Sequence, residues 1–246
     1  MGLGSNDKSS GDGGLNRRIL DVMEHVEYRR ITASEDFEAI GRLRSQAFDA
    51  RYIYAKGMAN SAVDETDRAP NAYVFGMYYY GELVSTVRLQ VVSKEYPTSV
   101  STSLFPSTLK PLIEQGMSFI DPTRLAVDER ISHLVPGLPL IMLRTAVMAT
   151  TYFEADFCLS LVKEGHAPFY RRVFRSTALA GPEQFDLFAF PAVLFASPRQ
   201  NEADICRRYP LFCYTESERR LMFETPASGA LPLVVVPTAK VAAKAA

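Results

Sequence analysis

The stretch FIDPTRLAVDERISHLVPGLPLIMLRTAVMATTYFEADFCLSLVK, residues 119–163, decides the fold. Its opening, FIDPTRLAVD (119–128), reads as a strand. LPLIMLRTAVMATTYFEA (138–155) is apolar on nearly every face, which predicts a helix buried in the middle of the fold. FCLSLVK (157–163) is a short apolar run of the kind that forms a central strand. Strand, buried helix and central strand in succession make an α/β unit.

Working outward, AYVFGMYYY (72–80) and ELVSTVRLQVV (82–92) are rich in β-branched and aromatic residues. Only Gly81 separates them, predicting an antiparallel hairpin with a tight turn. Further upstream, HVEYRRI (25–31) alternates like a strand. At Ser34 it gives way to a helix with acids in its first turn and Ile40, Leu43, Ala47 and Phe48 at helical spacing. Downstream, HAPFYRRVF (166–174) predicts a short helix with Pro168 near its start. LFAFPAVLFAS (187–197) is a strand that Pro191 must interrupt or place at an edge. NEADICRRYPLFCYTESERRLMFE (201–224) has the character of a charged, aromatic helix that packs on the sheet or meets a partner. This order describes an α/β (α+β) sandwich with a mixed, largely antiparallel sheet flanked by helices. No G-x-G-x-x-G segment argues for a doubly wound fold.

The chain has 246 residues, 47% hydrophobic and 22% charged, enough for one substantial core. We expect a single domain over 21–236, with polar, glycine-rich residues 1–20 and alanine-rich residues 237–246 as mobile tails. Its 27 Lys plus Arg nearly cancel 28 Asp plus Glu, so no global field draws in nucleic acid. No apolar run is long enough to span a membrane. Cys158, Cys206 and Cys213 are odd in number and lack zinc spacing, as expected of reduced thiols in the cytoplasm. Cys158 is read as a buried apolar residue rather than a nucleophile. His25, His133 and His166 form no metal-binding pattern, so neither a metal nor a bound cofactor is expected.

Four features carry chemistry: Arg44 and Phe48 on the first helix, Asp64 and Asp67 in the next loop, Arg88 in a strand, and Asp121, Thr123 and Arg124 in FIDPTRLAV. Singly, each has a structural explanation as core, solvated loop or ion pair. Their order and spacing resemble those of the acyl-homoserine lactone synthases and the related N-acyl amino acid synthases of the FeeM type. The resemblance covers about residues 25–190. Those families place an Arg four residues before a Phe, two acids three apart, a strand ending G-x-x-x-x-x-x-R-L, and E-x-S-R-F/L-x-V. The last motif corresponds here to Asp121 through Val127. Asp121 and Thr123 depart from the usual Glu and Ser. The chain has no Trp where lactone synthases carry one after the Phe; Tyr52 or Tyr54 stands near that place. The insertion at 97–119 and the segment 167–185 look more like the N-acyl amino acid synthases.

The resemblance implies a GNAT-like bacterial acyltransferase. Its acyl donor would be an acyl carrier protein thioester, or acyl-CoA, and its acceptor the α-amine of an amino acid. The product would be an N-acyl amino acid signal or lipid. An ammonium must lose a proton before attack and an oxyanion must be stabilised, so a base and donors are required. Asp121 is the expected base, or else an ion-pair partner of Arg88 or Arg124. Thr123 and Arg124 belong to the reaction centre, while Arg44, Phe48, Asp64, Asp67 and Arg88 order the acceptor site. Val127 and Gly137 are assigned to the donor arm. The pyrophosphate-binding spacing of ordinary GNAT enzymes is missing around Gly137, which favours the carrier protein. Arg171, Arg172 and Arg175 form either its docking patch or a solvated helix face. The alternatives are a lactone-forming autoinducer synthase that consumes S-adenosylmethionine, as in quorum sensing, and a non-catalytic acyl-carrier or lipid sensor.

Overall fold

The computed structural model describes residues 9–50, 53, 62–225 and 233–245. In chain order its elements are α1 (Ser9–Met23), β1 (Val26–Arg30), α2 (Ser34–Ala50), β2 (Ala72–Tyr79), β3 (Glu82–Val92), α3 (Val100–Leu104), α4 (Pro106–Glu114), β4 (Phe119–Val127), α5 (Glu129–Ser132) and α6 (Leu138–Tyr152). There follow β5 (Phe157–Lys163), α7 (Ala167–Val173), β6 (Thr177–Glu183), β7 (Ala192–Pro198), α8 (Glu202–Arg208), α9 (Glu216–Phe223), β8 (Val234–Val235) and α10 (Ala239–Ala245). The strands form one sheet in the order β6-β7-β5-β4-β3-β2-β1-β8. Every neighbouring pair is antiparallel except β4 and β5, which α6 connects as a crossover.

The β2–β3 hairpin turns on two residues, Tyr80 (φ 49°) and Gly81 (φ 83°), both left-handed. A turn of this kind matches the twist of the strands it joins. Helix α6 lies against β3 and β4 at the centre of the main core, where Leu138, Ile141, Met142, Ala146, Met148 and Ala149 are buried. Arg144 is buried among them and donates to the Glu218 carboxylate on α9 and to the Cys213 carbonyl. The charged C-terminal segment therefore packs on the central helix, because that helix carries a cation needing a counter-charge. On another part of the sheet, residues 97–119 fold into α3 and α4. Phe105, Leu109 and Ile113 cover Phe119, Leu159 and Leu194 in a second core.

Two helices stand where mobile tails are expected. Ile19 and Met23 of α1 are buried in the main core, and Ala239 of α10 joins them. Lys240 bridges from α10 to Asp21 and Glu24 at the end of α1. Strand β7 begins immediately after Pro191, so the missing proline N–H removes no bond from its ladder with β5.

Candidate active site

Strands β4 and β5 are paired only at Phe119–Phe157 and Ile120–Cys158. Beyond those two rungs they part. Past that point β4 is itself irregular: its register with β3 slips between Thr86 and Arg88, and Arg124 opposite takes φ 57°. This extra residue bends the strand and re-aims its side chains. A cavity of about 900 Å³ fills the split, the size of a substantial ligand pocket. Thr123, Arg124 and Leu125 line it from β4, Cys158 through Lys163 from β5, and Leu143, Ala146, Val147 and Thr150 from one face of α6. Phe48, Ile53 and the aromatic loop Leu187–Phe190 close over it. Ala189 N–H donates to the Ile53 carbonyl and ties that loop down.

Beside the cavity lies a chain of charges. Asp64 caps a 3-10 turn (Glu65–Arg68) that contains Asp67, and Asp64 N–H donates to the Asp67 carboxylate at 3.0 Å. Arg44 donates to both oxygens of Asp67, at 2.9 and 3.0 Å, and to the Ala62 carbonyl. Arg88 reaches Asp64 at 2.6 Å, lies 3.5 Å from Asp67, and donates through Nε to Thr123 Oγ1 at 3.0 Å. Arg124 donates to the second oxygen of Asp64 at 2.7 Å. Burial raises the Asp64 carboxyl, but Arg88 and Arg124 outweigh it and hold the group below the usual carboxylate range. Among the described residues, three guanidinium groups thus meet on two carboxylates beside the cavity. Arg44 Nε and Nη2 are buried without a hydrogen-bond partner among the described residues.

Asp121 is placed differently from the expectation. It is fully buried and does not line the cavity. Its two oxygens accept from Ser101 N–H at 3.1 Å and Ser101 Oγ at 2.8 Å, in the first turn of α3. Burial raises its carboxyl above the usual range, against the bonds from Ser99 and Ser101 and the charge of Arg88. The expected ion pair with Arg88 or Arg124 gives way to Asp64, on which both arginines converge. Asp121 is therefore an anchor between β4 and the inserted helices, a partner set visible only once α3 is folded.

The other expected residues fall into two groups. Arg44, Asp64, Asp67, Arg88, Thr123 and Arg124 come together, and Phe48 lines the cavity. Val127 is core, and Gly137 (φ 80°) sits beneath α1, where a Cβ would lie 2.7 Å from Ile19 Cγ1. Arg171 and Arg172 are exposed on α7, with Arg171 over the Phe195 ring. Arg175 pairs with Asp204, which also binds Arg207 and Arg208. Tyr52 and Tyr54 lie outside the described residues. Cys158 lines the cavity, but burial pushes its thiol up to about 12, unsuited to a nucleophile. Lys163 at the end of β5, His166 just before α7, and Thr151, Arg199 and Glu202 also line the cavity, and none of them was given a site role from the sequence. No cluster of metal-ligating side chains occurs among the described residues, and no described helix is long and apolar enough to cross a membrane.

A mixed sheet split beside its one parallel pair, with a cavity in the split, is the frame of the candidate site. The profile of the FeeM N-acyl amino acid synthases matches residues 39–198, and the chain belongs to that family. Among solved structures, FeeM, an N-acyl amino acid synthase from uncultured soil microbes, superposes with a TM-score of 0.59 at 17% identity, covering 71% of this chain and 91% of that one. BjaI, a CoA-dependent acyl-homoserine lactone synthase, gives 0.54 at 15% identity over 75% and 89% of the two chains. The acyl-homoserine lactone synthase LasI gives 0.51 at 14% over 71% and 89%. At these identities the likeness is one of fold. Comparison with curated protein sequences gave no match.

Proposed function

We propose that the protein transfers a fatty acyl group from a carrier-protein thioester to the α-amine of an amino acid. The observation that carries this reading is the apolar cavity in the β4–β5 split with Thr123 and Arg124 at its edge, joined to a network of arginines and aspartates. The apolar walls suit an acyl chain. The planar donor forks of the arginines suit the carboxylate of an amino-acid acceptor.

In the reaction the amine nitrogen attacks the thioester carbonyl, the C–N bond forms, and the C–S bond breaks to release a thiol. The strand edges facing the split are no longer paired with each other and offer N–H groups to the developing oxyanion. The nitrogen must shed protons, one of which ends on the departing sulfur. With Asp121 turned to α3, His166 is the imidazole that lines the cavity and takes the role of base.

For the donor, a carrier arm with one phosphate fits better than the pyrophosphate of CoA. Pro139, at the second position of α6, has no N–H, and Ile19 packs on Gly137 just before the helix. Arg171 and Arg172, exposed near the cavity residues His166 and Tyr170, suit an acidic carrier protein.

Mass spectrometry of lipid extracts from a bacterial host tests this, comparing the wild type with Arg124→Ala. New masses of acyl chains joined to an amino acid, absent from the variant, support the reading. An acyl lactone would replace it with lactone synthesis from S-adenosylmethionine. Folded protein that yields no product with any supplied amino acid would leave a sensor.

A further inference from the structure

The cavity has two chemically different ends. Helix α6 runs back from the open end of β4 to the start of β5, where Ala155 N–H meets the Thr150 carbonyl and Asp156 N–H meets the Ser118 carbonyl. Leu143, Ala146, Val147 and Thr150, at helical spacing, therefore line the cavity from its open side toward the paired ends of β4 and β5. The Thr150 hydroxyl is spent on the Ala146 carbonyl. From Leu143 to Thr151 this wall is about 12 Å long at the rise of an α-helix.

At the paired end the lining changes. Thr151 donates to Glu202 Oε2 at 3.0 Å, and the Tyr214 hydroxyl donates to Oε1 of the same carboxylate. Arg199, whose N–H binds the Asp156 carbonyl, and Glu202 both line the cavity here. Glu202 lies just beyond the segment that the family profile matches, so this end is a feature of this chain's C-terminal part.

We infer that Glu202, held by Thr151 and Tyr214, closes the acyl cavity and sets the longest acyl chain the enzyme accepts. The inference rests on the acyl-transfer reading above. While the wall is apolar, each methylene that enters tightens binding by about fourfold. A methyl terminus pushed against the carboxylate would strip water from a charged group and return no hydrogen bond. The chain stops there, and further carbons bring no gain. Glu202 and Thr151 are thus specificity residues that touch the chain's end and not the reacting atoms.

The test is displacement of a fluorescent fatty-acid probe from the full chain by saturated fatty acids of increasing even length. For the wild type, affinity should climb by about fourfold per methylene and then break. In Glu202→Ala the break should move to longer chains, and the acid two methylenes past the original break should gain about 16-fold. Thr151→Val, which keeps the side-chain volume and releases Glu202 on one side, should move the break the same way. Thr151→Val carries the test if Glu202→Ala does not fold, with circular dichroism melts as the check. An unmoved break in the folded variants, with tight binding retained, overturns the length limit and leaves acyl transfer standing. Failure of the wild type to bind any fatty acid overturns both.

Discussion

Arg124 holds Asp64 at 2.7 Å from a left-handed position in the middle of a strand. The other oxygen of that carboxylate is held by Arg88 at 2.6 Å, so one side chain ties the reactive edge of β4 to β3 and to the preceding turn. Arg124→Ala removes the outermost arm. We expect kcat/KM to fall by about 100-fold, the size of losing a preorganised charged donor, with little change in melting temperature, because Arg88 keeps Asp64 in place. Arg124→Lys should restore less than a tenth of the loss, since an ammonium lacks the planar fork. Steady-state kinetics beside thermal melts check both.

The Arg44–Asp67 pair is wholly buried and should behave in the opposite sense. Asp67→Ala strands Arg44, already short of partners on two nitrogens, and should cost about 3–5 kcal/mol in urea unfolding. A variant that loses activity with no loss of stability would contradict a supporting role.

Asp121 separates an anchor from a base. Asp121→Asn keeps an acceptor for Ser101, so activity should fall less than tenfold, whereas loss of a general base would cost at least about 100-fold. Its folded carboxyl lies above the unfolded one, so ionisation opposes folding. Stability should drop as pH rises from about 4 through the folded pKa. Asp121→Asn should remove that drop. Urea midpoints across pH would show it.

Asp64 has the reverse sign. Its carboxyl is depressed in the fold, so its contribution is complete above the unfolded value of about 4 and disappears as pH falls through the lower folded value. Asp64→Asn should flatten the acid limb of the stability curve, read from the same urea series.

His166→Gln should lower kcat by about 100-fold while leaving the binding of a fatty acid unchanged, as measured by steady-state kinetics beside fatty-acid binding. A variant that keeps the wild-type kcat would rule His166 out as the base.

The β4–α6–β5 unit was readable because its apolar runs have unmistakable lengths and periods, and the hairpin because Gly81 demanded a turn. The charge network was readable too, since Arg44, Asp64, Asp67, Arg88 and Arg124 occur in a telling order. Its wiring was not. That both strand arginines choose Asp64 over Asp121 depends on α3 delivering Ser101 to the latter, a tertiary event without a local signal. Helix α1 was missed because glycines and polar residues mask it, and its anchor Ile19 finds its place only against Gly137. Glu202 has no motif around it; only the meeting of α6 and α8 gives its carboxylate a position in the cavity.

The guanidinium at the centre of α6 has a wider consequence. The family-matched stretch ends at residue 198, yet the counter-ion that lets Arg144 sit in the core is Glu218, itself gripped by Thr238 through backbone and hydroxyl. A fragment cut at the end of the matched stretch would carry a naked cation into its own interior. The matched stretch and the residues after it are therefore joined by one buried ion pair, and any chimera that swaps one without the other inherits a charge with no answer.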